Sequence, residues 1–222
     1  LRENSSKQKI KTFQKWDSEL NKLLSDSYQY NSWFTENNLK LSLKNWSAQL
    51  NKKNIENWLE NYKIELKSSK TVAIIMAGNV PIVGFHDLIC SLILGFKCIV
   101  KLSSDDKILI PLIVKFIQSR FDGFKENVYF ESNILKNFDA GIATGSNNSH
   151  KYFEYYFGKY PNLLRKTRHS VAVLNGDESD NELALLSNDV FDYFGLGCRS
   201  VSKIFIPKGY DLDLLFNAFY KK

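Results

Sequence analysis

Cys198 is the residue of this chain best placed for covalent chemistry. It follows Gly195 and Gly197 and precedes a run, residues 201–206, in which alternating side chains predict a strand. A thiol in this position lies on a turn, where glycines let backbone N–H groups approach a reacting atom. Beside Arg199 such a thiol is a candidate nucleophile, because a neighbouring cation favours the thiolate. The alternative is a small buried side chain in a tight turn.

The region before this turn alternates apolar strands with helices. The predicted strands are Val72 to Met76, Phe96 to Leu102, Val128 to Glu131 and Phe138 to Thr144. The predicted helices are Ile82 to Leu94, about Asp105 to Phe121 with Ser103 or Ser104 as its cap, and Gly145-Ser146 to Phe157. This alternation predicts an α/β fold with a parallel sheet covered on both faces, whose ligands bind at the carboxyl ends of the strands.

Helices and one further strand flank this region. Apolar spacing predicts helices in the polar first 67 residues, one of them capped by Thr35 and a third from Ile55 to Leu66. Leu163 to Arg168 is basic, and a strand follows from Ser170 to Leu174. The spacing of Ser179 and Glu182 is that of a capping box, for a helix that Gly195 ends. Leu212 to Tyr220 also reads as a helix.

Three predicted strand ends carry residues that suit an anionic or polar ligand. They are Gly78 with Asn79, Lys101 with Ser103 and Ser104, and Gly145 with Ser146. The last pair opens a helix, where backbone donors and the helix dipole favour an anion. Each residue also has an ordinary structural explanation as a turn former, an exposed strand end or a cap. Because no G-x-G-x-x-G fingerprint follows any strand, the sequence does not indicate an ordinary dinucleotide fold.

The order of these segments resembles the aldehyde dehydrogenase superfamily, and within it the acyl-CoA reductases of the bioluminescence fatty-acid reductase type. Ala77-Gly78-Asn79-Val80-Pro81 resembles the turn whose asparagine donates to an oxyanion, and Val100-Lys101-Leu102-Ser103 resembles the segment whose lysine holds the adenosine ribose. Thr144-Gly145-Ser146 resembles the segment that meets the dinucleotide near its nicotinamide, and Gly197-Cys198 resembles the nucleophile segment. The resemblance implies catalytic Cys198 and Asn79, and cofactor binding by Lys101, Ser103, Gly145 and Ser146.

One departure from the superfamily bears on the direction of the reaction. Hydrolytic members carry a glutamate just before the strand predicted at Ser170, whereas this chain has Arg165, Lys166, Thr167, Arg168 and His169 there. That glutamate activates the water that releases an acid from the acyl-enzyme. The resemblance therefore implies NADPH-dependent reduction of a fatty acyl-CoA or acyl-carrier thioester to the aldehyde, with NAD as the other candidate cofactor. Its alternatives are an aldehyde-oxidising dehydrogenase, an acyl transferase using Cys198, and a non-catalytic or truncated dinucleotide-binding domain.

The resemblance also implies a domain organisation. Residues 1–67 form an N-terminal helical region, 68–160 a dinucleotide-binding domain, and 161–222 the start of a catalytic domain carrying Cys198. The superfamily's catalytic domain and oligomerising segment extend further, so we expect this chain to be a fragment, and homo-oligomer formation stays open.

The composition of the chain indicates which binding partners and which cellular compartment to expect. The net charge of +6 comes from lysines scattered over 222 residues, which argues against nucleic acid as a partner, since such proteins cluster their basic residues. The three cysteines are odd in number and two lie in apolar runs, which favours a reducing cytoplasm over a disulfide framework. The three histidines are too dispersed to indicate a metal site or a catalytic dyad. No membrane span is expected.

Overall fold

The computed structural model describes the backbone of residues 2–62 and 69–222, and the side chains of residues 14–62 and 69–222. The chain forms two compact units, Leu1–Arg165 and Lys166–Lys222. The helices are α1 Arg2–Tyr30, α2 Glu36–Gln49, α3 Lys52–Leu59, α4 Phe85–Ile93, α5 Leu109–Arg120, α6 Asn147–Phe157, α7 Asp180–Phe191 and α8 Leu212–Tyr220. The strands are β1 Thr71–Ile75, β2 Lys97–Lys101, β3 Val128–Phe130, β4 Ala140–Thr144, β5 Asn162–Arg165, β6 Ser170–Val173 and β7 Val201–Phe205.

The first unit is built on a five-stranded parallel sheet in the order β3-β2-β1-β4-β5. In the central strand β1, Val72 pairs with Cys98 of β2 on one side and with Ala140 of β4 on the other. The predicted parallel α/β sheet is confirmed. The chain leaves β1 in one direction for β2 and β3 and then returns to the other side of β1 for β4, so the topological switch point lies between β1 and β4.

Both faces of this sheet are packed. On one face, side chains of β1 and β2 pack with those of α1, α2, α4 and α5 in a core that includes Leu39, Ile74, Leu88 and Ile110, none of them exposed. On the other face, Ala73 and Ala143 pack with Phe153 and Phe157 of α6. A strand that is covered on both faces is apolar along almost its whole length. This burial explains why a continuous apolar run predicted β1.

Two predicted caps are confirmed. The Thr35 side chain accepts a hydrogen bond from the Asn38 N–H at the start of α2. Ser179 and Glu182 form a reciprocal capping box at the start of α7. The third predicted helix corresponds to α3, and the part of that prediction beyond residue 62 lies outside the described residues.

Two predicted helix starts were wrong. Helix α4 begins at Phe85, three residues later than expected, because Ile82 has a φ of +51° and lies in a turn. Helix α5 begins at Leu109, and neither Ser103 nor Ser104 caps it; the Ser103 hydroxyl accepts instead from the Asp105 N–H. In both places the residues that follow the strand form a turn at the carboxyl end of the sheet. The helix therefore begins several residues further along the chain.

The second unit contains a two-stranded parallel sheet of β6 and β7 together with α7 and α8. A bulge between Ser170 and Val171 shifts the register of the pair. After α7 the chain turns through three consecutive residues with positive φ: Tyr193, Phe194 and Gly195. Within the described residues of both units, no helix combines the length and the apolar character needed to cross a membrane.

Candidate active site

The carboxyl end of β1 continues into a tightly packed turn that carries Asn79. A Cβ atom on Gly78 would lie 2.5 Å from Ser103 Oγ, so the backbone after β1 runs directly against the segment after β2. Only glycine allows this approach. Asn79 follows and is exposed.

A buried carboxylate holds the far side of this turn. The Ile82 N–H donates a hydrogen bond of 2.9 Å to Asp106 Oδ2, while the Ile82 side chain is buried. A β-branched residue at positive φ is strained, and such strain persists only where the surroundings fix it. Burial raises the pKa of Asp106 to about 6, although backbone N–H donors at Ile82 and Leu109 oppose the shift. The Asp106 carboxyl therefore anchors the turn that presents Asn79.

Lys101 ends β2 and lies at a cavity of about 780 Å³. Its Nζ donates a 3.1 Å hydrogen bond to the carbonyl oxygen of Asn133. Ile99, Tyr129 and Phe130 line the same cavity with apolar surface.

Glu131 supplies a carboxylate to this cavity. Its Oε1 accepts a 2.8 Å hydrogen bond from the Asn133 N–H. That hydrogen bond is the main reason why the pKa of Glu131 is lowered, and the positive charge of Lys101 adds to it. The cavity thus combines an apolar wall, an ammonium group and an ionised carboxylate.

Gly145 and Ser146 connect β4 to α6. The Ser146 hydroxyl caps α6 by accepting from the Ser149 N–H at 3.2 Å, so its structural role as a cap is real. The Gly145 N–H donates to the Arg165 carbonyl oxygen, and a Cβ atom on Gly145 would lie 2.9 Å from the Phe153 ring. This pair and the Asn79 turn follow the two strands that flank the switch point, where ligands of open α/β sheets bind.

Cys198 belongs to the second unit and is exposed. The Ser200 N–H donates a 3.0 Å hydrogen bond to the Gly197 carbonyl oxygen, which places Cys198 inside a four-residue turn directly before β7. The prediction of a thiol on a turn before a strand therefore agrees with the structure, and the alternative of a buried packing residue does not. Arg199, the next residue of the turn, is also exposed.

Sequence reasoning missed β5 and the ion pair at its end. Arg165, the last residue of β5, donates a 2.7 Å hydrogen bond from Nη1 to Oδ2 of the buried Asp87 on α4. Burial opposes the ionisation of Asp87, but the hydrogen bonds from His86 and Arg165 prevail and lower its pKa. The charged residue Asp87 inside an apolar helix was the available signal, because a buried carboxylate needs a partner.

No protein-family model and no curated protein matches this sequence. Solved structures do match. AldH of Staphylococcus aureus, in a substrate-bound state, has a TM-score of 0.60 at 19% identity over 95% of this chain and 51% of its own. AldC of Pseudomonas syringae, in complex with NAD+ and octanal, has a TM-score of 0.58 at 14% identity over 75% of this chain and 39% of its own.

A third match is propionaldehyde dehydrogenase of Rhodopseudomonas palustris with bound propionyl-CoA, with a TM-score of 0.55 at 13% identity over 71% of this chain and 37% of its own. The chain thus spans about half the length, or less, of these proteins. At identities below 20%, these structural matches show the fold alone. The chain has an aldehyde-dehydrogenase-like fold.

Proposed function

We propose that this chain carries the cofactor-binding and nucleophile segments of an oxidoreductase that reduces an acyl thioester to an aldehyde with NADPH. The observation that carries the proposal is the exposed Cys198 in the Gly197–Ser200 turn, on a chain with an aldehyde-dehydrogenase-like fold. In this proposal the first unit binds the dinucleotide and the second unit supplies the nucleophile.

The first unit offers groups that suit a dinucleotide. The cavity beside Lys101 has apolar walls for a purine ring, and Lys101 and Glu131 offer a donor and an acceptor for ribose hydroxyls. Ser103 lies next to this strand end, and its hydroxyl is engaged by the Asp105 N–H. Gly145 and Ser146 open α6, whose N-terminus favours a phosphate or carboxamide oxygen. The proposal assigns Lys101, Ser103, Gly145 and Ser146 to the cofactor.

Cys198 performs the covalent step. Its thiolate attacks the acyl carbonyl carbon, a C–S bond forms, and the carrier thiol leaves with the proton that Cys198 gave up. The Cys198 N–H donates to the oxyanion that develops during attack, and the resemblance assigns Asn79 as a further oxyanion donor. A bound nicotinamide dinucleotide supplies the hydride that reduces the acyl-cysteine. The oxyanion so formed on Cys198 collapses, its C–S bond breaks, and the aldehyde leaves. Cys198 is regenerated as the thiolate.

The residues before β6 favour reduction over hydrolysis. Arg165 is held by Asp87, and residues 166–169 are Lys, Thr, Arg and His, so this segment contains no carboxylate to activate water. An acyl-cysteine next to such a segment persists until it is reduced. The propionyl-CoA bound to the Rhodopseudomonas enzyme and the NAD+ bound to the Pseudomonas enzyme are compatible with these two ligand classes.

Intact-mass spectrometry after incubation with a long-chain acyl-CoA tests the proposal. We expect one acyl adduct that peptide mapping assigns to Cys198, that Cys198→Ser abolishes, and that NADPH removes with release of aldehyde. Cys98→Ala is the matched control, because Cys98 is buried and its pKa is raised by burial to about 12. Hydrolysis of the adduct to free acid without NADPH would favour aldehyde oxidation, and transfer to a second thiol would favour an acyl transferase.

The cofactor is tested separately by thermal unfolding. NADP should raise the melting temperature in a concentration-dependent way, because a ligand that binds only the folded state stabilises it by mass action. A folded chain that responds to neither NADP nor NAD contradicts the dinucleotide part of the proposal. A chain that responds but forms no adduct is a non-catalytic dinucleotide-binding protein.

A further inference from the structure

Helix α4 carries a second thiol in contact with an imidazole. The Cys90 Sγ lies 3.9 Å from His86 Nε2, one helical turn away, and His86 Nδ1 lies 3.2 Å from Asp87 Oδ1. The imidazole therefore stands between a thiol on one ring nitrogen and a carboxylate on the other. This order of thiol, imidazole and carboxylate places an ionisable ring, oriented by an acid, directly beside a nucleophilic atom.

The orienting groups are fixed by packing. Asp87 is buried and bound through its other oxygen to Arg165, so its position does not depend on His86. The Trp46 indole of α2 packs beside the imidazole, with ring centroids 6.2 Å apart. Cys90 itself is half-buried, and His86 remains open to solvent.

Charge in this cluster favours a protonated imidazole. The hydrogen bond to Asp87, and after it the one to Cys90, raise the pKa of His86 to about 10. Asp87, on the same helix, pairs with the imidazole and itself pairs with Arg165 of β5, while α2 contributes the uncharged Trp46. A protonated imidazole next to a sulfur is a proton donor for the product of addition to that sulfur.

The same cluster is unsuited to a metal ion. Among the residues that the structure describes, no three His, Cys, Asp and Glu side chains are grouped so as to hold one. The chemistry open to Cys90 is therefore that of a nucleophile with a proton donor beside it.

We propose that Cys90, His86 and Asp87 form a nucleophilic thiol site that adds to α,β-unsaturated carbonyl compounds. The Cys90 thiol gives its proton to water, its sulfur forms a bond to the β-carbon, the carbon–carbon π bond breaks, and its electrons move onto the carbonyl as an enolate. The proton held by His86 then goes to the α-carbon, and the imidazole takes a proton from water. The net change replaces S–H by S–C and places one hydrogen on the α-carbon, so no oxidant and no leaving group are required.

The test uses the chain as it stands, with N-ethylmaleimide as an uncharged α,β-unsaturated carbonyl. Limited labelling followed by peptide mapping gives a separate rate constant for each cysteine. At about pH 6.5 we expect Cys90 to react about tenfold faster than N-acetylcysteine in the same buffer, because the imidazole of His86 beside the sulfur can deliver a proton to the α-carbon. His86→Gln should bring the Cys90 rate down by about tenfold, because glutamine has no ionisable proton to deliver.

His150→Gln is the matched control. His150 also pairs with a carboxylate on a helix, Glu154 at 3.2 Å. It lies on α6 and not on α4, so His150→Gln should leave the Cys90 rate unchanged.

Iodoacetamide tests the reagent class. Displacement of iodide needs no proton at carbon, so this reagent should show a smaller enhancement over N-acetylcysteine. Circular dichroism confirms that each variant is folded. The dependence of the Cys90 rate on pH is also measured in the unmodified chain, for which the folding of a variant is not in question.

Three outcomes would overturn the proposal. They are a Cys90 rate at or below that of N-acetylcysteine throughout, a rate that His86→Gln leaves unchanged, and an equal enhancement for both reagents. The site is independent of the proposed reductase, because it lies on α4 and its labelling is measured equally well in Cys198→Ser.

Discussion

The two units of this chain bury their strands to very different degrees. In the first unit, Ala73 and Ile74 in the middle of β1 have no exposed surface. In the second, Val171 and Val173 of β6 are 56% and 70% exposed, and within residues 166–222 the buried apolar side chains are Leu183 and Leu215. Two-stranded sheets are marginal in water, so the second unit draws less stability from its own core than the first. The proposed nucleophile Cys198 thus belongs to the unit with the smaller core.

The largest effect is expected when one cysteine of each unit is replaced by serine. The two replacements should separate loss of acylation from loss of stability. Cys198→Ser should eliminate the acyl adduct, a loss of about three orders of magnitude or more in acylation rate, while changing the free energy of unfolding by less than about 0.5 kcal/mol. Cys98→Ser should do the reverse. It places a hydroxyl in an apolar core and costs about 1–3 kcal/mol, yet the adduct should still form. Mass spectrometry and urea unfolding measure the two quantities, and a stable adduct on Cys198→Ser would break the comparison.

Truncation of a core side chain should show how strongly the first unit depends on its packing. Leu88→Ala in α4 removes a side chain with no exposed surface and should cost about 2–5 kcal/mol. Hydrogen exchange, analysed peptide by peptide, should show this loss in β1 and β2. If Leu88→Ala leaves exchange in those strands unchanged, the core assignment of the first unit is wrong.

Two carboxylates should give the units opposite pH dependence. In the first unit, Asp106 has a folded pKa of about 6 against an ordinary value of 3.8. The unfolded chain therefore releases this proton first, and stability falls as the pH rises from about 4 to about 6, by on the order of 1–3 kcal/mol. Asp106→Asn should abolish that fall, as measured by urea unfolding across this pH range. An unchanged slope in the variant would assign the fall to another group.

Glu182 in the second unit should act in the other direction. Its pKa is lowered by the Ser179 N–H and hydroxyl of the capping box. Its contribution to stability is complete above the ordinary value of 4.5 and is lost as the pH falls below it. Glu182→Gln should reduce this acid sensitivity in hydrogen exchange of α7. If α7 is equally sensitive to acid in the variant, the capping box does not control it.

The smallest expected effect is at the exposed strand. Val173→Thr keeps a β-branched side chain at a position that is already open to solvent, and should change stability by less than about 0.5 kcal/mol. Urea unfolding measures it, with Ile74→Thr in β1 as the matched and much more damaging control. A large loss from Val173→Thr would show that β6 is buried in solution.

Local chemistry decided which parts of the fold could be predicted. The buried strand β1, the Thr35 cap and the Ser179 capping box each depend on neighbours within a few residues, and all were predictable. Strand β5 was not, because Asn162–Arg165 is short, polar at its ends and preceded by Pro161. The starts of α4 and α5 were misplaced since the contact between Ile82 and Asp106 spans the two turns.

The candidate site shows the same limit. The exposed turn of Cys198 could be inferred from its glycines and the following strand, both of which are local. The pairing of Asp87 with Arg165 joins residues far apart in sequence, so periodicity alone could not reveal it. His86 and Cys90 are four residues apart on a predicted helix, so their contact was predictable from the helical spacing alone.

The central position of β1 also sets an order of events during synthesis. Its partner β2 follows closely in the chain, whereas its other partner β4 begins only at Ala140. Closing the longer loop costs more entropy, and a non-local pairing forms more slowly. A growing chain therefore exposes the apolar edge of β1, with unpaired N–H and C=O groups, until residues 140–144 have been made. We expect this interval to be when the nascent chain is most prone to aggregation and most dependent on chaperones.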